Sequence, residues 1–122
     1  LDEFAHYAGI ERASIEDCLS ALGALSSFLG AAGNSAWVLP QTQQADMVYL
    51  GLGAEELSTT DWSGSIQLTL KGVSGPGSLA VWDTDSFGNP TVLLNSANGI
   101  DASEKVVMQP GGHTHLNWAF TA

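Results

Sequence analysis

The residues best suited to chemistry in this sequence are His113 and His115, which lie two positions apart after a glycine pair. If the segment is a β-strand, side chains at i and i+2 point to the same face, so the two imidazoles lie side by side. Paired imidazoles are typical ligands of zinc and other divalent transition metals. Because a structural zinc site needs four ligands, His6, Asp101 and Glu104 are candidates for the remaining positions. The alternative is that both histidines are solvent-facing polar residues of a half-buried strand.

Tryptophan offers a second kind of site, because an exposed indole can stack on a sugar ring. Trp37 and Trp118 lie inside apolar runs, so we expect both to be buried in a core. Trp62 is flanked by polar and small residues, which favours exposure, and Trp82 is compatible with either environment. The sequence therefore keeps a carbohydrate-binding interpretation open, with Trp62 and Trp82 as its candidate residues.

Signatures of catalysis are missing from the sequence. It has no Gly-x-Ser-x-Gly nucleophile elbow, and no Gly-Lys-Ser/Thr follows the Gly-Pro-Gly turn at 75–77 as it would in a phosphate-binding loop. The run 83–89 has aspartates at the spacing of a calcium loop, but Phe87 stands where an oxygen ligand is needed, which favours a plain turn. We therefore expect a protein that is not an enzyme.

Length and charge restrict the class of protein further. The chain has 122 residues, of which 44% are hydrophobic, and this suffices for one domain with a core. It carries 3 Lys and Arg against 13 Asp and Glu, and the net charge of −10 repels nucleic acid and anionic lipid headgroups. The longest uncharged stretch that suits a helix, 18–32, is short for a membrane span and rich in Ser, Gly and Ala, so we expect no transmembrane segment.

Residues 1–34 are predicted to form an α-helical arm. Apolar residues recur there at spacings of three and four, from Ile15 to Leu29, which is the period of one helix face. Ser14 followed by Asp17 resembles an N-terminal capping box. The arm is a candidate for binding a protein partner through four residues, Leu19, Leu22, Leu25 and Phe28.

From residue 35 onward the pattern changes to short strands separated by Gly, Pro, Asn and Asp. Ile66, Leu68 and Leu70 alternate with polar residues, which is the period of a half-buried strand. We predict a mainly β protein, an Ig-like antiparallel β-sandwich of about seven strands over 35–122, preceded by the helical arm of 1–34. The predicted strands are 37–39, 47–52, 66–70, 78–83, 91–95, 105–109 and 113–120.

Four runs of the sequence, taken together and in order, resemble one family. They are Phe-Leu-Gly-Ala-Ala-Gly-Asn-Ser-Ala-Trp-Val-Leu-Pro-Gln at 28–41, Leu-Gly-Leu-Gly-Ala-Glu-Glu-Leu at 50–57, Phe-Gly-Asn-Pro-Thr-Val at 87–92 and Gly-Gly-His-Thr-His-Leu-Asn-Trp-Ala-Phe at 111–120. The family is the bacterial surface-anchored domain called choice-of-anchor M, found in actinobacterial cell-wall repeat proteins and in exported proteins with varied anchors. The resemblance spans residues 28–122.

This resemblance implies an exported β-domain that is extracellular, at the cell surface or in the periplasm. Some family members accompany metal-type ABC transporters, which favours a metal site, and no catalytic mechanism comes with the family. The family domain usually continues with one more strand after the position of Phe120, so an open sheet edge is expected. A partner would fill such an edge by β-augmentation, unless the edge is short or covered by the N-terminal segment.

The leading hypothesis is a non-catalytic, exported bacterial surface or assembly module that acts through protein–protein contacts. The first alternative is a domain that binds zinc or another divalent transition metal through His113 and His115, and the second is a carbohydrate-binding module. The hypotheses differ in a measurable way, because a metal site should lose stability in chelator and a metal-free module should keep it.

Overall fold

A computed structural model describes residues 11–14, 27–31 and 33–121 of the chain. The described residues form nine β-strands and two 3-10 turns, Ser27–Leu29 and Ser96–Asn98. The strands are β1 (Glu11–Ser14), β2 (Ser35–Leu39), β3 (Gly51–Gly53), β4 (Ile66–Thr69), β5 (Ser78–Thr84), β6 (Pro90–Asn95), β7 (Lys105–Met108), β8 (His113–His115) and β9 (Asn117–Thr121). The prediction of a mainly β protein is therefore confirmed.

All strand pairs are antiparallel, as predicted, and they form one large sheet and two ribbons. The large sheet has the strand order β1-β2-β9-β5-β6, and the ribbons are β3–β8 and β4–β7. Strand β9 lies in the middle of the large sheet because it pairs with both β2 and β5. The edges of this sheet, among the residues that the structure describes, are β1 and β6 rather than the last strand.

The main core lies between one face of the large sheet and the two ribbons. Val81 of β5 and Leu94 of β6 share this face and are 0% and 7% exposed. The ribbon strand β7 contributes Val106 and Met108, and Leu116 follows β8 into the same cluster. Because side chains of a strand alternate between its two faces, each layer can supply one apolar face to the core. The β3–β8 ribbon is thereby held against the large sheet.

The opposite face of the large sheet is built around Trp82, whose side chain is fully buried. The buried residues beside it include the small side chains of Ala36, Ala80 and Ala119, which leave space for the indole. Phe28, in the first 3-10 turn, packs edge-on against the Trp82 ring at a centroid distance of 5.2 Å. The chain just before β2 therefore covers this face and belongs to the core.

Strands β8 and β9 are separated by a single residue but belong to different layers. That residue, Leu116, is 3% exposed and packs in the main core. Asn117, at the start of β9, accepts a hydrogen bond from the Gln41 backbone N–H at 2.9 Å. Its Nδ2 donates to Gln41 Oε1 at 2.8 Å and to Thr84 Oγ1 at 3.0 Å. These hydrogen bonds of Asn117 fix the point at which the chain passes from β8 to β9.

The predicted N-terminal helical arm is not supported. Glu11–Ser14 forms a strand that pairs with β2, so its backbone hydrogen bonds run across a sheet and not along a helix. Ser27–Leu29 is a 3-10 turn. The helical period of the sequence begins at Ile15 and does not include Glu11–Ser14. The rest of the predicted arm, 1–10 and 15–26, lies outside the described residues, and no described helix is long and apolar enough to cross a membrane.

Two predicted strands differ from the observed ones by more than two residues at an end or by a division. The strand predicted at 47–52 is only Gly51–Gly53, because the chain turns at 45–47, with Asp46 at a φ of 62°. The strand predicted at 113–120 is divided at Leu116, because its first half pairs with β3 and its second half with the large sheet. Both differences arise from pairing between distant parts of the chain.

Candidate metal-binding site on the β3–β8 ribbon

His113 and His115 lie on the same face of β8. The antiparallel register places Gly53 opposite His113 and Gly51 opposite His115. Thr114, between the two histidines, points to the other face because strand side chains alternate. The two imidazole centroids are 5.6 Å apart, and the ring planes meet at 79°. The strand period thus brings the two imidazoles together, as the sequence predicts.

Gly51 and Gly53 leave the space that the neighbouring side chains occupy. A Cβ atom on Gly51 would lie 2.7 Å from Cε1 of His115, a distance that real Cβ atoms essentially never show. A Cβ atom on Gly53 would lie 2.5 Å from Oε2 of Glu55. Neither glycine has a positive φ. It is therefore the missing side chain, and not backbone freedom, that the site uses at these two positions.

His115 is held in one orientation by two contacts. Its Nδ1 lies 3.0 Å from the carbonyl oxygen of Leu50. Its ring stacks on the ring of Tyr49 with a centroid distance of 3.6 Å and an angle of 2° between the planes. Because a carbonyl oxygen only accepts hydrogen bonds, Nδ1 carries the proton and donates it to Leu50. In the neutral ring, Nε2 of His115 then keeps its lone pair.

His113 is oriented by a carboxylate from the segment that follows β3. Its Nδ1 lies 3.1 Å from Oε1 of Glu55, and the two side chains are 58% and 59% exposed. A carboxylate also only accepts, so Nδ1 carries the proton and, in the neutral ring, Nε2 keeps its lone pair. An exposed pair of this kind contributes only about 0–1 kcal/mol to stability. The contact therefore adds little to the stability of the fold.

The distance between the two ring centres is one that two imidazoles bound to a single metal ion can have. A zinc–nitrogen distance of about 2.0–2.1 Å puts each ring centre about 3.2 Å from the ion, so two imidazoles at a tetrahedral angle have centroids about 5.2 Å apart. The observed 5.6 Å is close to this value. Within the described ranges no three His, Cys, Asp or Glu side chains form a group that could hold a metal, so this part of the chain offers two protein ligands.

The carboxylates proposed from the sequence as further ligands have other partners. Glu104 is 7% exposed and accepts a hydrogen bond from the backbone N–H of Asn95, which ties it to the end of β6. Asp101 accepts hydrogen bonds from the hydroxyl and the backbone N–H of Ser103 at 2.6 and 2.7 Å. The Ser103 hydroxyl, followed by the backbone N–H, lowers the pKa of Asp101. His6 lies outside the described residues.

The two tryptophans proposed for carbohydrate binding lie in different environments. Trp62 is 53% exposed, next to a turn in which its backbone N–H donates to the carbonyl oxygen of Ser58 at 3.0 Å. Trp82 is 0% exposed, so its assignment as a sugar-stacking residue is wrong, because the indole has no free face. Trp37 is buried, as predicted, whereas Trp118 is only partly buried.

The residues proposed for partner binding are described only in part. Leu19, Leu22 and Leu25 lie outside the described residues. Phe28 is partly buried and packs against the core around Trp82, so much of its ring is covered by its own domain.

A different aromatic residue, Phe87, is the most exposed large hydrophobic side chain in the described part of the chain, at 89%. It lies on the turn between β5 and β6. Asp85 Oδ1 accepts hydrogen bonds from the backbone N–H groups of Phe87 and Asn89, both at 2.9 Å. The Asn89 side-chain amide, more than any other group, lowers the pKa of Asp85. The run 83–89 is thus a hydrogen-bonded turn, as the sequence favours, and it presents Phe87 to solvent.

Sequence reasoning missed four residues of the β3–β8 site, namely Tyr49, Gly51, Gly53 and Glu55. From sequence alone, Glu55 belongs to an acidic segment that is most simply a solvated loop. The available signal was the alternation of glycines at 51 and 53 within a strand pattern, which marks a close approach of neighbouring groups. The identity of those neighbours depends on the pairing of β3 with β8, which local patterns do not encode.

The arrangement can bind a ligand through two imidazole nitrogens on an exposed ribbon. The described residues of this ribbon supply no nucleophile paired with a base. Comparisons of the chain with protein-family models, with curated proteins and with solved structures gave no match.

Proposed function

We propose that this protein is a non-catalytic, exported surface domain that binds a divalent transition metal ion through Nε2 of His113 and Nε2 of His115. The observation that carries the proposal is that Nδ1 of each ring meets an acceptor, Glu55 for His113 and the Leu50 carbonyl for His115. Metal-binding histidines almost always donate their second ring N–H in this way, to a carboxylate or a backbone carbonyl. The neutral form of each ring then keeps Nε2 free to bind a metal ion.

Two solvent-facing polar histidines would not need these contacts. An exposed contact of this kind adds little stability even when the ring is charged, so stability alone gives no reason to direct His113 toward Glu55. Nor would a simple surface histidine need glycine opposite it, yet the ring of His115 occupies the space that a side chain at Gly51 would fill. Tyr49 also restricts the ring of His115 by stacking on it. Together these features favour a ligand site over an ordinary polar surface.

The ligand atoms select the class of metal. Imidazole nitrogen suits zinc, copper and nickel, whereas calcium and magnesium prefer oxygen ligands. With two imidazoles, the other coordination positions are open to water or to a group from elsewhere, which distinguishes this site from a closed structural zinc site. The net charge of −10 favours the approach of cations. By the Irving–Williams order, copper(II) should bind more tightly than nickel(II) or zinc(II).

Native mass spectrometry with added zinc, before and after a chelator, tests the proposal. The His113→Ala/His115→Ala variant removes both ligands, and Thr114→Ala is a matched control because Thr114 points to the other face of β8. We expect one zinc ion on the wild-type protein and on the control, and none on the double variant. Retention of the zinc mass by the double variant would show that the metal binds elsewhere.

Thermal unfolding in chelator gives a second measure of the same proposal. Bound zinc should raise the melting temperature of the wild-type protein, because a ligand of the native state stabilises it, and a chelator should reverse the rise. The double variant should melt at one temperature in both conditions. A wild-type protein that is indifferent to zinc and to chelator would favour a module without a metal.

The exported location rests on the resemblance to the choice-of-anchor M domain, and the Ig-like type of sandwich rests on the pattern of short strands separated by turn residues. Two of the four resembling runs, 50–57 and 111–120, contain β3 and β8, which pair with each other. The histidines and Glu55 thus all lie inside the runs that carry the resemblance. Fractionation of the source cells with an antibody tests the location. We expect the protein in the envelope or the medium, and recovery in the cytoplasm would contradict the proposal.

Phe87 supports a second candidate function, an assembly module that acts through protein contacts. A phenylalanine that is 89% exposed, on a turn fixed by Asp85, is a preorganised apolar anchor for a pocket on another protein. Phe87→Ser should abolish binding to a partner identified with the wild-type protein. Val107→Ser, at a position that is 50% exposed on β7, is the matched control and should retain it. Equal binding by both variants would exclude Phe87 as the anchor.

A further inference from the structure

We infer that Glu55 is a positioning residue of the metal site, which selects Nε2 of His113 as the metal ligand by accepting the proton of Nδ1. The inference rests on the proposed function and deepens it. It assigns a role to a carboxylate that the sequence pattern alone indicates to be a solvated loop residue.

The backbone fixes Glu55 relative to His113. The neighbouring residue Ala54 is 6% exposed, and its N–H donates to the carbonyl oxygen of Gly112 at 2.8 Å. The carbonyl oxygen of Ala54 accepts a hydrogen bond from the N–H of Gly111, also at 2.8 Å. Gly112 directly precedes His113, and Ala54 directly precedes Glu55. The backbone hydrogen bonds of Ala54 therefore join the segment of Glu55 to the segment of His113. Glu55 is therefore held beside His113 although its side chain is exposed.

Gly53 keeps the path of the Glu55 side chain open. The carboxylate lies over the backbone of Gly53, where a Cβ atom would come within 2.5 Å of Oε2. The other oxygen, Oε1, then meets Nδ1 of His113 at 3.1 Å. Gly53 is also the residue opposite His113 in the ribbon, so the carboxylate crosses β3 at the position that pairs with the histidine.

The contact at Nδ1 separates the role of Glu55 from that of a ligand. Nδ1 and Nε2 occupy different corners of the imidazole ring, so a carboxylate bound at Nδ1 does not reach a metal bound at Nε2 of the same ring. What the carboxylate does is hold the proton on Nδ1 and stop rotation of the ring, which leaves Nε2 basic and fixed. The Leu50 carbonyl does the same for His115. Loss of such a partner typically lowers metal affinity by about 10–100-fold.

The chain supplies a matched control in Glu56, which is also exposed and carries the same charge one residue further on. Zinc affinity is measured by isothermal titration calorimetry for the wild-type protein and for Glu55→Ala, Glu55→Gln and Glu56→Ala. We expect Glu55→Ala to weaken zinc binding by about 10–100-fold, and Glu56→Ala to have a much smaller effect. Glu55→Gln should restore part of the affinity, because the amide oxygen still accepts a hydrogen bond from Nδ1.

The tautomer gives a readout that does not depend on affinity. Long-range ¹H–¹⁵N NMR spectra of the metal-free protein should show the proton of His113 on Nδ1 in the wild-type protein and in Glu55→Gln. In Glu55→Ala, the proton should move at least partly to Nε2. The inference is overturned if Glu55→Ala and Glu56→Ala weaken binding equally, since net charge alone would then explain the effect. It is also overturned if His113 keeps its Nδ1 proton in Glu55→Ala.

These outcomes are distinct from failure of the proposed function. If the wild-type protein binds no zinc, or if the double histidine variant binds it equally well, the proposed function is wrong and the role of Glu55 falls with it. If zinc binds at the histidines and the two glutamate variants behave alike, the metal site stands and only the role of Glu55 is lost.

Discussion

Gly51 lies opposite His115 across the β3–β8 ribbon, and the missing side chain at Gly51 is what allows the imidazole ring to lie against the β3 backbone. In that position Nδ1 of His115 reaches the Leu50 carbonyl, and the ring stacks on Tyr49. The geometry of the histidine pair therefore depends on a strand that contributes no ligand of its own. Substitutions at positions that do not bind the metal, such as Gly51 and Tyr49, should therefore also change zinc binding.

Gly51→Ala should weaken zinc binding without unfolding the protein. The new Cβ would lie 2.7 Å from Cε1 of His115, so the ring must move away from the Leu50 carbonyl. We expect a loss of affinity of about tenfold or more, as for loss of a partner of a metal-bound histidine, measured by zinc titration calorimetry. Gly72→Ala is the control, because it meets no atom within 4 Å and also lacks a positive φ. Equal affinities of the two variants would contradict this use of Gly51.

Tyr49→Ala should weaken zinc binding by a smaller amount. Stacked aromatic rings contribute about 0.5–1.5 kcal/mol. Because the stack also forms without metal, only part of this energy affects binding, and we expect the zinc Kd to rise by less than about tenfold. Tyr49→Phe should bind zinc like the wild-type protein, because the ring and not the hydroxyl stacks on His115. If Tyr49→Phe lost as much affinity as Tyr49→Ala in the same titration, the hydroxyl rather than the stack would be responsible.

Asn117→Ala should destabilise the fold and leave the metal site intact. Asn117 is 3% exposed, and its side chain makes hydrogen bonds to the backbone and side chain of Gln41 and to Thr84. Its removal leaves buried groups unsatisfied, so we expect a loss of about 2–4 kcal/mol in the free energy of unfolding, measured with urea. Gln67→Ala, on an exposed position of β4, should change stability little. A loss in the free energy of unfolding as small as that of Gln67→Ala would show that these hydrogen bonds contribute little to the fold. This conclusion would hold whether or not the folded variant binds zinc.

The turn that presents Phe87 should open in acid. Hydrogen bonds, first from the Asn89 side chain, lower the pKa of Asp85 below its ordinary value of 3.8. Because the pKa of Asp85 is lower in the folded state, the ionised carboxylate stabilises the turn at pH values above the ordinary pKa. This stabilisation is lost as the pH falls through the lower pKa of the folded state. The backbone amide resonance of Phe87 should therefore titrate with a midpoint below 3.8. Asp85→Asn should abolish this titration, whereas Asp83→Asn should retain it, and a midpoint above the ordinary value would contradict the assignment.

Strand periodicity was sufficient to predict the parts of the fold that depend on local pattern. The alternation from Ile66 to Leu70 marks β4, and the spacing of His113 and His115 places both imidazoles on one face. The antiparallel, mainly β architecture follows from the same signals. Periodicity does not determine which residues of two strands lie opposite each other. The sequence therefore did not predict that Glu55 and Gly51 are neighbours of the histidines.

The same limit explains the predictions that were wrong. The helical arm of 1–34 was predicted from an apolar period that begins at Ile15, so this period gave no information on Glu11–Ser14, which pairs with β2. Trp82 was ambiguous because burial depends on what covers the sheet, and here Phe28 and Leu29 cover it. Glu104 was a candidate ligand because a carboxylate can bind a metal ion. In the fold this carboxylate accepts a hydrogen bond from the backbone N–H of Asn95.

The most direct test of the central claim is a zinc titration followed by long-range ¹H–¹⁵N NMR of the imidazole nitrogens in histidine-labelled protein. We predict that the Nε2 resonances of both His113 and His115 shift and saturate at one equivalent of zinc, while both Nδ1 atoms stay protonated through Glu55 and Leu50. Nε2 resonances of these two histidines that do not change when zinc is added would contradict the claim.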